Sequence, residues 1–155
     1  MSAVSAVSGV SEIRVPAVGG PAVRAGLWFL AFTEVVVGAW ALLVPAGFYT
    51  GFPAPGHPWV AMLPPYNEHL VRDVGALSLA LTVALAGAAL RPERRLTVVV
   101  LLAFLTATVP HAVFHSLHLH GFPTVDAVAQ TVGFALQLGV GAAVLVGVSR
   151  RRVVH

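Results

Sequence analysis
Four apolar runs divide the chain, each bounded by proline, glycine or clustered charge: residues 22–44, 67–90, 96–118 and 125–148. About 20 apolar residues in a helix span the roughly 30 Å hydrocarbon core of a bilayer, so each run predicts a membrane-crossing helix. Helix punctuation supports the bounds. Pro64 and Pro65 pre-set the chain for a helix start, Asn67 has the side chain of an N-cap, and Glu68 places negative charge at the positive end of the helix dipole. Arg91-Pro92 closes the second run, and the turn His120-Gly121-Phe122-Pro123-Thr124 separates the third from the fourth. Together the runs predict an all-α fold, a membrane four-helix bundle filling residues 22–149.

The remaining segments read differently. Residues 1–21, a Ser/Ala/Val/Gly stretch ending in Pro16, Gly19, Gly20 and Pro21, have no helical periodicity and no basic start of a cleavable signal, which predicts a disordered cytoplasmic tail. Residues 45–65 mix prolines and glycines with Phe48, Tyr49, Phe52 and Trp59, as suits an interfacial loop in the position of a lid. Residues 150–155 form a short basic tail.

Composition sharpens this reading. With 57% hydrophobic and 10% charged residues and a mean hydropathy of +0.87, the chain has too little polar surface to coat a soluble globule of 155 residues. The lipid bilayer is therefore its expected partner. No cysteine is present, which excludes disulfides, thiolate metal sites and a cysteine nucleophile. All nine basic residues are arginine, and six fall in two clusters, Arg91/Arg94/Arg95 and Arg150/Arg151/Arg152. Basic residues stay on the cytoplasmic side, so the arginines predict both termini inside, an N-in/C-in multi-pass protein of the cell membrane. The basic pI of about 10.6 thus reports topology, and no nucleic-acid partner is expected.

Polar residues inside the runs carry the candidate chemistry. Glu34 lies in the middle of the first, an expensive place for an acid unless it functions. In the second, spacing pairs Glu68 with Arg72 and His69 with Asp73, each four apart. The third gathers Thr108, His111, His115 and His118 on one face, with Pro110 expected to kink it there. The fourth carries Asp126, Gln130 and Gln137 near one stripe. Counted inward by helical rise, Asp73, His111 and Gln130 lie roughly 7 to 10 Å from the outer surface, and Glu34 and Gln137 roughly 16 to 18 Å. Similar depths predict one outward-facing cavity lined by all four helices.

That cavity admits several chemistries. His111 and His115 can chelate from one helix face with Glu34, Asp73 or His69 completing a transition-metal site, although no HExxH or Glu-x-x-His signature is present. Alternatively, Glu34, Asp73 and His111 act as acid–base groups on a quinone- or isoprenoid-like substrate, with His69, Arg72, Gln130 and Gln137 binding a small lipid-soluble molecule. The third reading is a structural subunit whose buried polar residues hold the bundle together without chemistry. A transport role would require a homo-oligomer, since four helices without an inverted repeat make a poor carrier alone.

The residues just named carry a resemblance. Glu34 with Gly38 and Pro45, Tyr66-Asn67-Glu68-His69 followed by Arg72-Asp73-Val74-Gly75, and His111 with His115 resemble the small four-helix DoxX-like membrane proteins of bacteria, in particular an uncharacterised actinobacterial branch. The likeness covers residues 22–150 and implies the four-helix membrane fold. Roles assigned within that group, such as a quinone-linked sulfur oxidoreductase subunit, imply a redox-associated setting. Without cysteine, this chain has no thiol of its own for sulfur chemistry.

Overall fold
A computed structural model describes residues 19–63 and 65–150 of the chain. Most of the two expected tails, residues 1–18 and 151–155, and the expected helix-start residue Pro64 lie outside the described residues. Four long helices dominate: α1 (Pro21–Leu43), α3 (Glu68–Leu90), α4 (Arg94–Leu117) and α5 (Thr124–Arg150). By length and composition each is able to cross a membrane. The all-α architecture follows from the four apolar runs, and the ends of the helices follow from local chemistry. Pro21 occupies the first turn of α1, where its missing N–H is no loss. Asn67 caps α3, its side-chain oxygen accepting from the Leu70 N–H at 3.2 Å. Pro110 lies inside α4, which continues as one helix to Leu117.

The segment expected to be a loop has structure of its own. Pro45 does not simply end α1: it opens a second short helix, α2 (Pro45–Gly51), after a break at Val44 (φ −134°, ψ 62°). A cis peptide links Phe52 to Pro53, and a minimal antiparallel pair follows, β1 (Pro53–Ala54) with β2 (His57–Pro58), turning at Gly56. Gly56 has φ +85°, a conformation that glycine adopts without a steric penalty. Trp40, Phe48, Phe52 and Trp59 pack edge to face or tilted at 4.8 to 6.2 Å between ring centres, which seats the hairpin on the end of α1.

The bundle has two unlike ends. Gly19, Pro92 and the described arginines other than Arg72 mark one of them, and the continuous core lies in that half: Leu27, Leu30, Leu85, Ala88, Leu101, Phe104 and Val148 are buried there. Thr97, also buried, sits in this half. Toward the other end the core gives way to a backbone contact between α1 and α3. A Cβ placed on Gly75 would lie 2.5 Å from the Leu42 nitrogen and 2.9 Å from the Gly38 oxygen, so only hydrogen fits. Large apolar side chains cover the outside of all four helices, among them Phe32, Leu77, Val83 and Leu117, each more than 60% exposed. A patch of that extent is far beyond what soluble monomers present to water.

Candidate functional site
The polar residues inside the four runs fall into two sets, one on each helix pair. On α1 and α3, Arg72 binds Glu68 through Nε (2.9 Å) and Nη2 (2.8 Å), and its Nη1 donates to the backbone oxygen of Leu42. Carbonyls in the last turn of a helix have no intrahelical partner, and a cation there also meets the negative end of the dipole. Arg72 thereby closes the carboxyl end of α1 from the neighbouring helix. His69 Nε2 lies 3.3 Å from Asp73 Oδ2, with both side chains more than half exposed. Both pairings anticipated from spacing are therefore made. Asp73, however, faces His69 on the outside of α3, away from the shared cavity expected for it.

Glu34 is likewise drawn to this first set. It is half-buried on α1 and lies beside Ser78 of α3. The reason is the glycine crossing: Gly38 against Gly75 fixes the helices so that Glu34, one turn before Gly38, meets Ser78, just under a turn after Gly75. The single cavity expected from the sequence had placed Glu34 with His111, but the azimuth sets its neighbour.

The second set is built by α4, α5 and the hairpin. The turn of 3-10 helix at Leu119–Gly121, followed by Pro123, folds α5 back beside α4. Asp126, Gln130 and Phe134 recur every four residues on α5, and His111 and His115 do so on α4, so each group presents one stripe to the seam. His115 donates from Nδ1 to Gln130 Oε1 at 2.6 Å. Its Nε2 is then a lone-pair acceptor in the neutral ring. The His111 and His115 rings lie 4.7 Å apart, and Phe134 stands 5.2 Å from each. Gln130 is 2% exposed, and its amide Nε2 has no hydrogen-bond partner. One turn nearer the loop, buried Asp126 accepts on a single oxygen from His57 Nδ1 (2.7 Å) and Trp59 Nε1 (3.0 Å). This carboxylate ties the hairpin to α5.

No family model, curated protein or solved structure matches this chain. His111 and His115 come together as their spacing implies, but Glu34 lies beside Ser78 on the other helix pair, and among the described residues no group of three or more His, Cys, Asp or Glu is placed to hold a metal ion. His118 stacks on Phe114 at 4.1 Å and donates from Nδ1 to the Phe114 oxygen, which occupies it locally. Gln137 is half-buried further along α5.

Sequence reasoning did not single out His57, Trp59, Asp126 and Phe134 as one group. Asp126 is the sole acid of α5, and His57-Pro58-Trp59 places a polar tip and an indole N–H in an otherwise apolar loop, but only the hairpin brings them together. A shallow groove of about 430 Å³ near Leu119, Phe122 and Thr131 lies on the opposite face of α5 from Asp126 and Gln130. It therefore has no share in this polar set.

Proposed function
We propose that this chain is an integral membrane protein crossing the cell membrane four times, with both ends cytoplasmic, that binds a small lipid-soluble ligand at the α4–α5 seam in the outer half of its bundle. We extend to it the DoxX-like resemblance and the redox-associated setting which that implies. The orientation rests on the arginines: Arg24, Arg91, Arg94, Arg95 and Arg150 gather at one end, the distribution that keeps loops inside. The observation that carries the ligand reading is the Gln130 amide, buried with half of its hydrogen-bonding capacity unused. Thr97 Oγ1 in the core half is also without a partner, but a hydroxyl forgoes one donor, whereas the Gln130 amide leaves both N–H groups idle, and an unsatisfied buried amide costs about 1 to 3 kcal/mol.

Two measurements test this. Cysteines introduced at Arg94 and Gly121 are labelled in intact cells with a membrane-impermeant reagent: label at Gly121 alone is expected, and label at Arg94 alone reverses the orientation. Protein purified in mild detergent is then analysed for metals and, by mass spectrometry, for extracted small molecules. One lipid-soluble species at near-stoichiometric amount, lost on replacing Gln130 and His115, is the expected result. Bulk phospholipid alone would remove the ligand reading.

Acid–base chemistry on a lipid-soluble substrate remains the second reading, and one observation favours it. Asp126 fixes His57 through Nδ1, leaving Nε2 half-exposed and oriented, the arrangement by which a carboxylate positions a histidine base. Product formation abolished by His57→Gln, with ligand retention unchanged, would promote this reading over simple binding.

A further inference from the structure
The seam also constrains what kind of molecule it takes, and this inference rests on the ligand-binding reading above. His111, His115 and Gln130 step inward from the surface: His111 is exposed, His115 half-buried and Gln130 2% exposed. The route begins among lipid-facing side chains, since Val113, Phe114, Val132 and Leu136 are all exposed on the same two helices. An occupant therefore approaches sideways, from the apolar surface. Phe134, 5.2 Å from both imidazoles, borders that approach.

Charge narrows the class. A fatty anion would need a cation at its head, yet Arg72 is engaged with Glu68 and the Leu42 carbonyl, and the other described arginines lie at the far end. A cation would need a carboxylate it can reach, but Asp126, the one on α5, is 4% exposed and lies under the His57 and Trp59 donors. A net charge carried into the seam would go unpaired at a cost of several kcal/mol. Hydrogen bonding narrows it further. The free group of Gln130 is an N–H donor, and the free nitrogen of His115 is an acceptor.

We propose that the seam binds an uncharged lipid-soluble molecule bearing a carbonyl, whose oxygen accepts from Gln130 Nε2 while any adjacent hydroxyl or N–H donates to His115 Nε2.

The test compares four straight-chain probes of equal length, a methyl ketone, a fatty acid, an alkylammonium and an alkane, added to detergent-purified full-length protein. Binding is read as the shift in melting temperature over a titration and, for the ketone, as the infrared carbonyl frequency. The ketone is expected to bind most tightly, with its carbonyl band lowered by hydrogen bonding. Gln130→Leu, which conserves bulk and whose fold is checked by its own melting curve without probe, should weaken it roughly fivefold to tenfold and restore the band to its unbonded position. Ketone binding untouched by Gln130→Leu overturns the seat. Tighter, Gln130-dependent binding of the acid or the ammonium overturns the uncharged class but leaves the ligand site standing. If none of the four shifts the wild-type protein, both the class and the ligand-binding reading fall together.

Discussion
The two helix pairs solve the same problem by different means. Where α1 meets α3, backbones touch at Gly38 and Gly75, and Arg72 closes a helix end across the seam by bonding the Leu42 carbonyl. Where α4 meets α5 near the loop end, glycines take no such part: a Cβ on Gly133 or Gly139 would meet nothing within 4 Å, and the contact is made by imidazole, amide and phenyl side chains. A backbone contact has one geometry and no spare capacity. A side-chain contact can be rearranged, and here it retains an unused donor. We read the first pair as the frame and the second as the working part.

The largest effect should come from filling the glycine crossing. A methyl group on Gly75 meets the backbone of α1 at 2.5 Å, which no rotamer change relieves, so Gly75→Ala is expected to cost about 3 kcal/mol, the upper end for overpacking. Gly38→Ala should cost less, since its nearest neighbour is the Leu79 side chain at 2.9 Å, although the Gly75 oxygen at 3.0 Å cannot yield. Gly133→Ala is the control, expected to be neutral or to gain up to about 1 kcal/mol through helix propensity. Detergent melting curves for the three variants check the order. Equal losses at Gly75 and Gly133 would end the distinction between the two seams.

Next comes the hairpin attachment. Asp126→Ala strands the His57 and Trp59 donors, and a loss of about 1 to 3 kcal/mol is expected, together with faster amide exchange or proteolysis over residues 52–63. Asp73→Ala removes a carboxylate of the same charge from an exposed pair and should change stability by less than about 1 kcal/mol. A larger loss at Asp73 than at Asp126 would show that Asp126 does not anchor the hairpin.

Sequence alone conveyed the helices better than their partners, and particular residues explain why. Pro21, Asn67, Pro92 and Pro123 act on the chain within a few residues, so the ends of the long helices lie close to 22–44, 67–90, 96–118 and 125–148. The i,i+4 pairs Glu68–Arg72 and His69–Asp73 were legible for the same reason. Pro45 was misleading because a proline that cannot continue one helix is equally suited to begin another. Rotation about a helix axis was out of reach: a single shared cavity was expected to bring Glu34 to His111, whereas the Gly38–Gly75 crossing sets it beside Ser78. The His57–Asp126 contact joins residues 69 positions apart through a hairpin that has no periodic signature.

The smallest expected effect is also the most discriminating. His115 and Gln130 form one hydrogen bond and leave one amide donor idle, so the pair is worth less to folding than its burial suggests. Replacing His115 alone by Ala leaves the whole Gln130 amide buried without a partner and should cost about 2 kcal/mol. Replacing both by apolar residues of similar volume, His115→Phe with Gln130→Leu, removes every stranded polar atom together, and stability should then stay within about 1 kcal/mol of the wild type or rise. The two sites are thus expected to couple, with the double variant more stable than the sum of the single losses. Were the double variant to lose about 3 kcal/mol or more, the polar pair would be holding the helices together. The α4–α5 seam would then be a second frame rather than a place where something binds.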